Sequence, residues 1–150
     1  MKSGLVLFIG LAALLHAGDT GSRVEYTGGT IAGLHPKTSV RLQVREDDVL
    51  DVTAKEISFQ IPYKDINTLE YGLKVSRRYL EAALISPMFL IAKKKTHFLS
   101  IGYVDAEGHQ QAMVLQVGSG DIRPLLVSLE ARTGRKVEYQ DEEARKAGKG

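Results

Sequence analysis

Between Val40 and Val44 the chain alternates strictly. Val40, Leu42 and Val44 are apolar, while Arg41, Gln43 and then Arg45 are polar. A period of two puts the apolar set on one face of a strand. "VLDVTA" (49–54) repeats the pattern with Leu50 and Val52 inward, and "EISFQI" (56–61) repeats it with Ile57, Phe59 and Ile61. "REDD" is the turn before them. Upstream, residues 18–23 read as a linker, "VEYTGGTI" (24–31) as a first strand and "AGLHPKT" as a turn. The pair Gly28–Gly29 marks a bulge or bend in that strand. Pro62 closes the third alternating run, and "PYKDI" (62–66) predicts a helical turn or corner. "NTLEYGLKV" (67–75) follows as a strand with a bulge at Gly72. "HFLSIGYV" and "QQAMVLQV" flank "DAEGH", the pattern of a hairpin.

The period then changes. In "DIRPLLVSLEARTG" the residues Ile122, Leu125, Leu126 and Leu129 fall at i, i+3, i+4 and i+7, one helical stripe. Ser119 or Asp121 stands at its start, and Pro124 sits in the first turn, where a missing N–H does no harm. Gly134 suits the stop. "KVEYQ" predicts a short strand, and 141–150 a charged, frayed tail.

The pattern therefore predicts a mainly β chain with one C-terminal α-helix, spanning 24–140 as a single domain. A meander of about seven antiparallel strands curls to hide one face, and a helix plugs the open end. That is a pleckstrin-homology-like split barrel. A lipocalin-like closed barrel holding an apolar ligand is the alternative.

One stretch departs from the pattern. In "RRYLEAALISPMFLIAKKK" (77–95), fourteen mostly apolar residues lie between Arg77–Arg78 and Lys93–Lys94–Lys95. Pro87 divides them, and the run is too short to span a bilayer. Three fates compete. The apolar half folds over the barrel as a lid. Alternatively Met88, Phe89, Leu90 and Ile91 enter a membrane surface while Arg77, Arg78, Lys93, Lys94 and Lys95 meet anionic headgroups. The third fate is a protein contact, where Met and aromatic residues are enriched.

Composition narrows the chemistry. The chain has 150 residues, is 43% hydrophobic and carries a net charge of +2, so neither disorder nor a nucleic-acid surface is indicated. It contains no cysteine, which removes disulfides and thiolate chemistry. Lys2, the apolar run Leu5–Leu15 and the small residue Ala17 predict a secretory signal peptide over 1–17. The expected location is secreted or periplasmic.

No catalytic set emerges. His35, His97 and His109 lie on separate elements, without the spacing of converging metal ligands. Asp105 and Glu107 fit a solvated turn better than an acid–base pair. "TGGTIAG" and "GSGD" lack the Lys-Ser or Lys-Thr that a phosphate loop needs. The expectation is a non-enzymatic module without cofactor or metal.

"LEYG" (69–72), "HFLSIGYVDAEGHQQAMVL" (97–115) and "LEARTGRKVEYQDEEARKAG" (129–148) resemble a family of small uncharacterised secreted bacterial proteins. More remotely they resemble the GRAM and bacterial pleckstrin-homology-like superfamily. The resemblance implies a fold and no reaction. Members of that superfamily bind lipid headgroups or peptides, the phosphoinositide readers through a basic first strand–loop–strand unit. Here that unit holds only Lys37 and Arg41, with Glu25 in the first strand, so the headgroup pattern is missing. The resulting expectation is a binding module that meets an anionic membrane surface or a protein through residues 77–95. The alternative is a carrier of a small apolar ligand in a barrel groove.

Overall fold

The alternating runs are strands. The computed structural model describes residues 21–45, 48–82, 85 and 95–149. The predicted signal peptide lies outside the described residues. In chain order the elements are β1 (Ser22–Gly29), β2 (Thr38–Val44), β3 (Val49–Ala54), β4 (Ile57–Pro62), a 3-10 turn (Tyr63–Asp65), β5 (Ile66–Gly72), α1 (Arg77–Ala82), β6 (His97–Val104), β7 (Gln110–Val117), α2 (Ile122–Thr133), β8 (Glu138–Tyr139) and α3 (Glu142–Lys149). All the strands join one sheet in the order β4-β3-β2-β1-β7-β6-β5-β8. Neighbours are antiparallel except β5 and β8, which run parallel. The molecule is thus mainly β with a C-terminal helical region. Among the described residues the strands number eight rather than about seven, and the sheet is not closed: β4 and β8 are its two ends.

Period two sorts the side chains as expected. Val40 and Leu42 of β2, Leu50 and Val52 of β3, Leu99 and Ile101 of β6, and Met113 and Leu115 of β7 are buried together on one face. Ile122, Leu125, Leu126 and Leu129 of α2 belong to the same core, so the helical stripe covers that face. Gly134 ends α2 in the left-handed conformation at φ 67°, its N–H donating to the Glu130 carbonyl. Asp121 occupies the N-cap position without a side-chain capping bond. In β4 only Ile61 is buried, and Ile57 and Phe59 are half-buried, because β4 has a neighbour on one side alone.

The two glycine expectations part company. β1 slips register against β7 between Tyr26 and Gly28, the bulge expected there. Gly72, expected to bulge, instead pairs regularly with Phe98, and the irregularity in β5 lies between Ile66 and Thr68. Gly72 is needed for a close approach. A Cβ there would run into the Gln140 side chain.

The expected frayed tail is also corrected. Residues 142–149 form α3, with Ala144 and Gly148 buried. A Cβ on Gly148 would stand 2.6 Å from the Tyr139 ring and 3.1 Å from Tyr71, so helix and sheet touch through a missing side chain.

Candidate contact surface

The connection from β5 to β6 carries the basic–apolar–basic stretch, and its described part stands on the sheet face opposite the main core. Along β6 and β7, Phe98, Ala112 and Val114 point to that second face. A polar strand pattern would leave them in water. They are covered instead by Val75, Tyr79 and Ile85, with Leu80 partly buried beside them. β6 is accordingly buried on both faces along most of its length. Ile85 sits over Gly28, where a Cβ would come within 2.5 Å of its Cγ1. The β1 glycine therefore provides both the bulge and a seat for the connection.

α1 begins where the Ser76 carbonyl accepts hydrogen bonds from the Tyr79 and Leu80 N–H groups, both 3.0 Å. Arg77 and Glu81, four residues apart, form a 3.0 Å ion pair, as their spacing predicts. Arg77 is 91% exposed. Arg78, its neighbour in sequence, has a different setting. Its Nη2 lies 2.7 Å from Glu70 Oε2 and 3.4 Å from Glu138 Oε2, and its guanidinium lies 5.1 Å from the Tyr79 ring centroid. The Glu70 side chain is only 9% exposed. The Gln140 amide donates to Glu70 Oε1 at 3.3 Å and to the Lys74 carbonyl at 2.7 Å. Glu70, Arg78, Glu138 and Gln140 thus tie α1, β5 and β8 together. Beside them lies an open cleft of about 500 Å³, also lined by Lys74, Ser76 and Asp141.

At the far end of the connection, Lys95 Nζ lies 2.7 Å from Glu143 Oε1 of α3, and the lysine side chain is 74% exposed. The Glu143 hydrogen bond raises its pKa. Met88, Phe89, Leu90, Ile91, Lys93 and Lys94 lie outside the described residues. Of the nine candidate contact residues, then, Arg77 and Lys95 are outward cations and Arg78 is a structural one.

Arg78 gives a direct test of that division. Arg78→Ala removes the cation facing a buried carboxylate, and an uncompensated buried charge is costly. Because Arg78 is itself 57% exposed, the expected loss is about 2 kcal/mol rather than the larger value of a sealed pair. Lys95→Ala, at an exposed pair, should leave stability nearly unchanged. Urea unfolding of both variants checks the contrast, and equal effects would contradict it.

The histidines and turn acids have found places. His97 Nδ1 lies 2.6 Å from the Tyr71 hydroxyl. His109 Nδ1 lies 3.5 Å from Asp105 Oδ2 on the exposed hairpin tip. Asp105 accepts from the Gln111 amide at 2.7 Å and from the His109 and Glu107 N–H groups at 2.8 and 3.0 Å. Those bonds, Gln111 foremost, hold its carboxyl below its ordinary range. Its geometry is that of a turn brace. Among the described residues no three His, Asp or Glu side chains gather as a metal site. No described helix is long and apolar enough to cross a membrane.

Sequence reasoning missed Glu70, Glu138 and Gln140. In an alternating strand Glu70 reads as a solvent-facing residue, and although the Arg77–Glu81 spacing suits a helix, no local pattern shows that this helix covers Glu70. No family model matches the chain, and no curated protein matches it.

Proposed function

We propose that the protein is a non-enzymatic, secreted or periplasmic binding module that meets an anionic membrane surface through residues 77–95. Its architecture is read as pleckstrin-homology-like. The order of its first seven strands, with β1 flanked by β2 and β7, and the amphipathic helix α2 against the main core support that reading. The resemblance to small secreted bacterial proteins and to the GRAM superfamily points the same way.

The observation that carries the proposal is the footing of the connection. Tyr79 and Ile85 root it in an apolar cluster of its own, separate from the core that α2 covers. Arg77 and Lys95, near its two ends, face outward. Their ion pairs are exposed, and such pairs are weak in water. Headgroup phosphates can therefore take over these cations at little cost. Basic flanks around an apolar segment supply the two signals that stable peripheral attachment needs.

Co-sedimentation with vesicles tests this. Protein lacking residues 1–17 should pellet with phosphatidylglycerol-containing vesicles at low salt, and raising the salt should weaken the association. It should stay in solution with purely zwitterionic vesicles. Equal behaviour with both vesicle types removes the anionic-surface reading and leaves a protein partner as the competing one.

A further inference from the structure

One margin of the sheet is bare. β4 has β3 on one side, and among the described residues no strand lies on the other. The open end of this hairpin sets its hydrogen-bond phase. There the Tyr63 N–H donates to the Asp48 carbonyl at 2.9 Å. Antiparallel ladders alternate between bonded and non-bonded pairs. The bonded pairs are therefore Leu50–Ile61, Val52–Phe59 and Ala54–Ile57. Ser58 and Gln60 lie in the other phase and turn their N–H and C=O groups away from β3. Among the described residues nothing takes up those four groups. The Ser58 and Gln60 side chains are held on the β3 side, by Thr53 at 3.4 Å and Asp51 at 2.8 Å.

The strand is also symmetric in kind. Around Phe59 it reads Ile57-Ser58-Phe59-Gln60-Ile61, apolar and polar in mirror order. Ser58 and Gln60 are exposed, and Ile57 and Phe59 are half-buried. Free edges are commonly guarded by charge, proline or a bulge. β4 carries no charge, and its one proline, Pro62, stands at its very end. Each flank holds one cation and one anion, Lys55–Glu56 before the strand and Lys64–Asp65 after it.

We propose that β4 is a self-pairing edge: two copies of the chain join β4 to β4, antiparallel, about a two-fold axis at Phe59. Ser58 then faces the partner's Gln60, and the two such pairings form four N–H···O=C bonds. Phe59 faces the partner's Phe59 at a non-bonded position, where side chains come closest. Apolar meets apolar and polar meets polar along the whole strand. A slip of one residue would put the outward groups out of phase. The ends that meet are each neutral overall, so no like charges are forced together. An interface of this size lies at the small end of specific contacts, which makes the dimer concentration-dependent. The pairing does not depend on what residues 77–95 contact, since the described part of that connection packs on β6 and β7.

Sedimentation equilibrium of the full chain tests the edge. The mass should move from monomer toward dimer between about 1 µM and 1 mM. Ser58→Pro removes an outward N–H, leaves the bonds to β3 in place and suits a free edge. It should raise the concentration needed for dimer by about tenfold or more. Amide exchange followed by NMR locates the contact. The Ser58 and Gln60 amides should exchange several-fold more slowly at the highest concentration than at the lowest, while the Phe59 amide, already bonded to Val52, stays unchanged. A monomer at every concentration overturns the proposal and leaves the edge to a strand of another protein. Dimers that survive Ser58→Pro undiminished, or that leave the Ser58 and Gln60 amides exchanging freely, overturn it by placing the self-contact elsewhere. Should Ser58→Pro fail to fold, the amide exchange of the unsubstituted chain decides.

Discussion

Replacing Leu129 by alanine should lower the unfolding free energy by about 3 kcal/mol. Leu129 is fully buried, the last apolar residue of the α2 stripe, and it packs into the core that spans β1 to β7. Deleting its isobutyl group removes transfer free energy and leaves a cavity, because strands on one side and helix on the other limit collapse. At a urea m-value near 2 kcal/mol/M the midpoint should fall by roughly 1.5 M with the slope unchanged. Val127→Ala on the same helix is the control, since Val127 is 65% exposed. A loss under about 1 kcal/mol at Leu129 would mean that α2 is not part of the cooperative core.

Gly29→Ala should cost a similar amount, about 3 kcal/mol, for a different reason. At φ 154° the Gly29 backbone lies where side chains are rarely found. A Cβ would collide with the Ala112 carbonyl of β7, and it would stand 2.8 Å from the Tyr26 hydroxyl and 2.9 Å from Met113 Cα. The first and last of those are backbone, so no side-chain rotation relieves them. The Thr30 N–H, just past β1, donates to the same Ala112 carbonyl at 2.9 Å, so displacing this end of β1 also breaks that bond. Gly120→Ala, where nothing lies within 4 Å of the added carbon, should leave the urea midpoint nearly unchanged. Equal midpoints for the two variants would contradict the close approach of β1 and β7.

How far the fold was legible in the chain follows from where each signal resides. The alternation at Val40–Leu42 and Leu50–Val52 and the stripe at Ile122–Leu129 depend on the period of one element. Each of those residues is buried as its own period predicts. The Asp105–His109 turn is legible for the same reason, because its bonds are local. Contacts between distant segments are not. Gly72 looks like a bulge until Gln140, far along the chain, is placed against it. α3 buries only alanine and glycine, which give almost no hydrophobic signal. Glu70 is buried because α1 covers its face of the sheet, and Arg78, read as a surface clamp, is consumed in satisfying it. Tyr79 and Ile85 were legible as apolar, but not the sheet face on which they stand.

These placements sharpen the contact proposal. Arg78 holds the connection to the sheet, so attraction to an anionic surface falls to the outward cations and insertion to the apolar residues between them. A connection rooted on its own apolar cluster should tolerate a charge at position 89 without loss of the core. The measurement that tests this most directly is Phe89→Asp, followed by vesicle co-sedimentation and urea unfolding on the same preparation. The account predicts that binding to phosphatidylglycerol vesicles is lost while the unfolding midpoint stays within error of the unsubstituted protein. A midpoint lowered as far as that of Leu129→Ala, or vesicle binding that survives the charge, would contradict it.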